Sequence, residues 1–118
     1  MKYIDAFVLP VAKKNLKAYL RIARQAGRIW RECGALEYRE CVGGEPKVKM
    51  GVPFPKLSKA KRGETVLFSW ILYKSRAHQK SVMAKVMKDP RMAKMMSGPM
   101  PFDVKRMAYG GFMVNIDA

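Results

Sequence analysis

The run Thr65-Val66-Leu67-Phe68-Ser69-Trp70-Ile71-Leu72-Tyr73 is apolar in both alternation phases, with Val66, Phe68, Trp70 and Leu72 in one and Leu67, Ile71 and Tyr73 in the other. A strand reads this way when both of its faces are covered. Tyr3 to Leu9 repeats the pattern, Tyr3/Asp5/Phe7/Leu9 against Ile4/Ala6/Val8, and predicts a second inner strand that Pro10 ends. From about Ala12 to Cys33 the period becomes helical, with Leu16, Tyr19, Leu20, Ala23, Ala26, Trp30 and Cys33 on one stripe and Gly34 as the stop. No convincing N-cap precedes this helix, which leaves its start open by a turn. Ala35 to Val42 mixes polar and apolar positions as a strand near a sheet edge does. Ser75 is the N-cap expected for a second helix with Gln79, Val82, Met83 and Val86 on its buried stripe. Asp89-Pro90 breaks that helix, and Arg91 to Met96 is read as another short turn. Lys105 to Ile116 is the last strand, with Gly110-Gly111 marking a bulge or the close approach of another backbone.

The order strand, helix, strand, strand, helix, strand predicts an α+β fold of the ferredoxin-like βαββαβ type, a four-stranded antiparallel sheet with two helices on one face. Two helices cover only one side of the sheet, and the other still presents large side chains from both inner strands. Leaving four of these wet forgoes about 6 to 12 kcal/mol, comparable with the stability of a whole domain. The expectation is therefore a homodimer in which two sheets pack face to face about a two-fold axis, a dimeric α/β barrel. The chain is read as one domain, 1–118, with an exposed basic loop at 43–63 that includes Gly43-Gly44-Glu45-Pro46, Pro53, Pro55 and many lysines.

A 49% hydrophobic content excludes a disordered chain. No run of about 18 apolar residues offers a membrane span. The start, Met1-Lys2-Tyr3-Ile4-Asp5, places an acid where a signal peptide needs apolar residues, so a cytoplasmic protein without a membrane partner is expected. Cys33 and Cys41 stand apart and one histidine does not complete a zinc site with them, so neither a metal nor a cofactor is predicted. The formal charge of +15 exceeds what solubility asks of a small domain, and an attraction to polyanions has to be weighed.

His78 is the single histidine, and with Ser75 as N-cap it takes the third helical position. The helix dipole and Lys74, Arg76 and Lys80 favour its neutral ring, which suits a general base; a histidine in the first turn without a carboxylate partner is the structural alternative. Trp70, Tyr73 and Tyr109 are expected to line a small cavity between sheet and helices, together with His78. Arg91 or Arg106 would hold an anionic group of the bound molecule, with Asp103 beside them. The competing reading makes Asp89 and Asp103 caps and the arginines their partners. The leading function is binding or turnover of a small organic molecule, in an isomerase- or oxygenase-like reaction without a metal. The many methionines between Met83 and Met107 suit an adaptable apolar lining better than a copper site. A second reading is non-specific binding of nucleic acid by Lys13, Lys17, Arg21, Arg24, Arg28 and Arg31 on the first helix and by the lysine-rich loop from Lys47 to Arg62. A third is a structural dimer whose cavity is filled by its own methionines.

Met87-Lys88-Asp89-Pro90-Arg91-Met92 and the stretch from Met100 to Phe112, with Tyr3-Ile4-Asp5-Ala6-Phe7 and Phe68-Ser69-Trp70-Ile71, resemble the bacterial YbaA-like family, domain of unknown function 1428. The resemblance covers nearly the whole chain. It implies membership of the dimeric α/β-barrel superfamily and supplies no reaction. Relatives in that superfamily include cofactor-independent oxygenases, isomerases, non-catalytic stress proteins and haem-handling enzymes. Trp70 and His78 are similar to the Trp and His of the haem-degrading members, whose asparagine on the first strand has only Asp5 near its place here.

Overall fold

The computed structural model describes residues 1–44 and 48–118. Its strands are β1 (Tyr3–Ala12), β2 (Glu37–Val42), β3 (Glu64–Tyr73) and β4 (Ala108–Met113). They form one sheet in the order β2-β3-β1-β4, and every neighbouring pair is antiparallel. The helices are α1 (Leu16–Glu32), α2 (Phe54–Leu57), α3 (Arg76–Lys88) and α4 (Pro90–Met96). The central β1 and β3 are the two strands with apolar residues in both phases, and β2 and β4 are the edges.

The pairing assigns a face to every strand residue. Tyr3 lies opposite Tyr73, Asp5 opposite Ile71, Phe7 opposite Ser69 and Leu9 opposite Leu67, and this phase is packed under the helices. Ile4, Val8, Phe68, Trp70, Leu72 and Phe112 form the other face, where Phe68 is 37% and Phe112 60% exposed. The core under the helices is split. One cluster gathers Ile29, Ile71, Tyr73, Val82 and Val86, the other Leu9, Val11, Tyr19, Ala23 and Leu67, and Phe7 packs against both.

Local chemistry explains the element ends. At the end of α1 the N–H of Ala35 bonds Trp30 O and that of Gly34 bonds Arg31 O, a Schellman arrangement that places Gly34 at φ 117°. Ser75 Oγ accepts the His78 N–H at 3.0 Å, capping α3 as expected. Asp89 accepts the Arg91 N–H and opens α4, the short turn foreseen after Asp89-Pro90.

Several boundaries move, and among them β2 opens at Glu37 rather than Ala35 and β4 closes at Met113 rather than Ile116. β1 runs through Pro10 to Ala12. The Val114 N–H bonds Lys2 O, so even-numbered positions of β1 address β4, and the last pair on that side is Val8 with Ala108. The missing N–H of Pro10 therefore faces an edge that has no partner left. α1 starts at Leu16 after a 3-10 turn over Lys13–Asn15, with no side-chain cap. β4 begins at Ala108 because Val104–Arg106 forms a 3-10 turn capped by Asp103. Its glycines make no bulge: Gly110 and Gly111 pair in register with Ala6 and Asp5. What approaches Gly111 is a side chain, since a Cβ there would collide with the Tyr3 hydroxyl.

The loop before β3 holds the one-turn α2, which has neither apolar period and so escaped the sequence; its Phe54 packs edge-on against Phe68, ring centres 6.3 Å apart. Lys56, Lys59, Lys61 and Arg62 in this loop are exposed, whereas the expected turn at Glu45-Pro46 and the candidate Lys47 lie outside the described residues. Cys33 and Cys41 are free thiols, each half-buried. No helix among the described residues is long and apolar enough to cross a membrane.

Candidate functional site

Two polar networks lie on the helix-covered face. In the first, Glu40 of β2 stands opposite Ser69 of β3, which in turn faces Phe7 of β1. Tyr19 of α1 donates its hydroxyl to Glu40 Oε1 at 3.0 Å, and Tyr38, two residues along β2, donates to Oε2 at 2.8 Å. Burial pushes the Glu40 carboxyl above its ordinary 4.5, against the two hydroxyl bonds that pull it down. The same burial and the adjacent carboxylate push both phenols well above 10, so they stay protonated donors at any physiological pH.

Glu40 borders a cavity of about 250 Å³ lined also by Ser69 and both network tyrosines. The rest of its wall is apolar. Met87, Met92, Met95, Met96, Met100 and Met107 contribute thioethers, and Phe7, Trp30 and Phe102 contribute rings. The residues come from both core clusters, so the cavity lies where the two fail to close on each other. Unbranched methionines explain how such a wall stays adaptable.

The second network centres on Asp5, which is 0% exposed in the middle of β1. Tyr73 Oη donates to Oδ2 at 3.0 Å, Gln79 Nε2 to Oδ2 at 3.3 Å and Tyr109 Oη to Oδ1 at 3.0 Å. Trp30 Nε1 donates to Tyr73 Oη at 3.0 Å, which ties the Asp5 cluster to a cavity wall residue. Burial and the neighbouring carboxylate push the Tyr73 phenol above 10, and Tyr109 shifts the same way. Arg76 closes the group from outside, donating to Tyr3 Oη at 2.8 Å and Gln79 Oε1 at 3.3 Å, with its guanidinium 4.9 Å from the Tyr3 ring centre.

The expected site residues do not gather in one cavity. Trp70 is on the open face and donates Nε1 to Glu37 at 3.3 Å. Tyr73 is in the Asp5 network rather than in the cavity wall. Tyr109 stacks on Phe7 at 4.9 Å and stays 54% exposed. His78 sits at the start of α3, edge-on to Tyr73, and its Nδ1 accepts the Lys74 N–H at 2.9 Å, which occupies the lone pair a neutral base would use. Trp70 and His78 lie on opposite sides of the sheet, an arrangement that cannot flank one haem. Arg91 is bound to Asp89 and Glu32, each at 2.9 Å. Arg106 is bound to Glu64 at 2.7 Å and to Asp103 at 3.1 Å. Both forks are thus filled by the chain's own carboxylates, and Arg91 and Arg106 hold Asp89 and Asp103 below the ordinary 3.8. The six basic candidates from Lys13 to Arg31 are all exposed.

Sequence reasoning missed Glu40, Ser69 and Asp5 as site residues. Each is a polar residue in the inward phase of a strand, and that interruption was the available signal.

An antiparallel sheet in the order β2-β3-β1-β4 under α1 and α3 defines a ferredoxin-like α+β protein. Residues 2–104 match the model of a family described as a protein of unknown function, DUF1428, and the chain belongs to that family. It is 41% identical over 117 residues to the uncharacterized protein YbaA of Escherichia coli K12, covering 99% of each, and equally similar to YbaA of Shigella flexneri. Among solved structures, a dimeric ferredoxin-like protein from an uncultured marine organism is similar with a TM-score of 0.59 at 9% identity, covering 100% of both chains. An uncharacterized NIPSNAP domain protein from Burkholderia xenovorans is similar with a TM-score of 0.57 at 11% identity, over 95% of this chain and 93% of that one. Identities this low speak for the fold alone.

Proposed function

We propose that the protein is a homodimer that binds a small, mostly apolar molecule in the methionine-lined cavity of each subunit, with one hydroxyl or N–H of that molecule donated to Glu40. The observation that carries this reading is a carboxyl of raised proton affinity at the edge of an otherwise apolar cavity. At about 250 Å³ the cavity is smaller than the ~300–1,000 Å³ of drug-sized sites, so the occupant is small. Glu40 accepts from two phenols and has lone pairs left for a third donor. A neutral donor suits it, whereas a ligand carboxylate would lose its hydration in an apolar surround. If the bound molecule is turned over, the proton-transfer role expected of His78 passes to Glu40, which lines the cavity where His78 does not. Pairing through the open sheet face rests on the exposed apolar row that includes Phe68 and Phe112, and a protein of the same fold is described as dimeric.

The test uses three ring compounds of similar size: p-cresol, toluene and p-toluate. p-Cresol is expected to raise the melting temperature most and to perturb the methionine methyl resonances, with toluene weaker and p-toluate without effect. Glu40→Gln should narrow the preference for p-cresol over toluene. Equal shifts from all three, or none at millimolar concentration, would overturn the reading.

A further inference from the structure

The proposed ligand site leaves the outer face of α1 unexplained. Lys17, Arg21, Arg24, Arg28 and Arg31 advance by fours and threes along this 17-residue helix, and all five are exposed. At 1.5 Å per residue the row extends over about 21 Å. The sole acid on α1 is Glu32, and its carboxylate is engaged by Arg91 at 2.9 Å. Among the described residues none of Lys17, Arg21, Arg24 and Arg28 is in a salt bridge, and Arg31 donates only to Leu36 O. Like charges at these spacings repel, so the helix is built with a strain that an opposite charge would relieve.

Two further observations give the row a direction and a chemistry. It continues past the start of α1: exposed Lys13 and Lys14 come next, Lys13 is held to the end of the basic loop by its N–H bond to Gly63 O, and Lys13, Lys61 and Arg62 border one cavity. On the other side, Arg24, Arg28 and Arg31 edge a groove of about 440 Å³ between α1 and β2, floored by Leu20, Ala23, Gly27 and Tyr38, with Glu40 as its one acid. The charges on α1 are mostly arginine, whereas the exposed cations of α3 are Lys80, Lys85 and Lys88 beside the single Arg76. The guanidinium fork matches phosphate oxygens in a way an ammonium does not. A row this long exceeds what one phosphate or a small metabolite can engage. The α1 part of the row lies on the side of the molecule away from the open sheet face, so pairing through that face leaves that part free, whereas the cavity at Lys13, Lys61 and Arg62 also has Phe68 of the open face in its wall.

We propose that the outer face of α1, extended by Lys13, Lys14, Lys61 and Arg62, binds the phosphodiester backbone of nucleic acid without base specificity. The row tracks successive phosphates and releases their counterions, and it presents no recognition helix for reading base edges.

The experiment measures binding of the intact protein to a labelled 20-base-pair duplex by fluorescence anisotropy between 50 and 300 mM salt. Five phosphate contacts predict a log–log salt slope of about −4 to −5. Neutralising Arg21, Arg24 and Arg28 together to Gln should flatten the slope by about 2 to 3 and weaken binding at 100 mM salt at least tenfold. Removing equal charge elsewhere, with Lys80, Lys85 and Lys88 changed to Gln, should leave the slope within about 1 of the parent. Duplexes of unrelated sequence should bind within a factor of about three of each other. Unchanged melting temperatures in both triple variants establish that the fold is intact. The proposal is overturned by no binding at 50 mM salt, by equal losses in the two triple variants, or by tighter Arg-dependent binding to phosphatidylserine vesicles than to the duplex.

Discussion

Tyr73→Phe removes one oxygen and two hydrogen bonds, one buried and one half-buried. Tyr73 Oη donates to Asp5 Oδ2 and accepts from Trp30 Nε1, both at 3.0 Å. Asp5 is fully buried, and its carboxyl oxygens accept from three neutral donors, Tyr73, Tyr109 and Gln79. Taking one donor from a fully buried acceptor costs about 1.5–3 kcal/mol. The Trp30 N–H loses its acceptor at a half-buried position, where water recovers part of the loss, which adds about 0.5–1 kcal/mol. The expected destabilisation is about 2–4 kcal/mol, or a fall in melting temperature of about 8–16 °C for a chain of this length. Tyr109→Phe is the internal control. It removes a bond to the same carboxylate from a phenol that is 54% exposed, and water replaces it at about 1 kcal/mol or less. Urea unfolding and calorimetry of both variants decide the matter. Equal losses for the two, or less than about 1 kcal/mol for Tyr73→Phe, would refute the account of Asp5 as a buried acceptor held by donors of unequal burial.

Glu64, held down to about 2 by the Arg106 guanidinium, has an ordinary value of 4.5, so the unfolded chain binds its proton first. Its contribution to stability is therefore complete above about pH 4.5 and lost as pH falls towards 2, and Arg106→Gln should flatten a plot of stability against pH in that window. Glu40 shifts the other way: its raised value makes the folded state the better proton binder, so Glu40→Gln should remove a loss of stability that sets in as pH rises above 4.5. Gly111→Ala forces a Cβ into the Tyr3 hydroxyl and should cost about 1–3 kcal/mol. Gly110→Ala, whose nearest neighbour is a Phe112 ring carbon at 3.4 Å, should cost less, and chemical denaturation that ranks them the other way contradicts the register of β4. Phe68→Glu places a charge in the middle of the open face and should give a folded 13.4 kDa monomer by sedimentation where the proposed pairing predicts a dimer for the parent.

Sequence periodicity was sufficient for the order of the four strands and the two long helices, because such an element must bury one stripe or one phase and that need is written locally. The stops and caps were legible for the same reason. Gly34 ends α1 and Ser75 opens α3 through bonds that span only a few residues. The alternation even separated Trp70 from Tyr73, yet the sequence reading placed both in one cavity. The phase tells which residues share a face, and the pairing shows which of the two faces the helices cover. The site itself was out of reach of local patterns. Tyr19 and Glu40 are 21 residues apart, Asp5 and Tyr73 68, and Asp5 and Tyr109 104. Such partners meet only once strand register and helix docking are set. A side-chain hydrogen bond needs positions good to a few tenths of an ångström, and a period of two or 3.6 residues carries no such information across the chain.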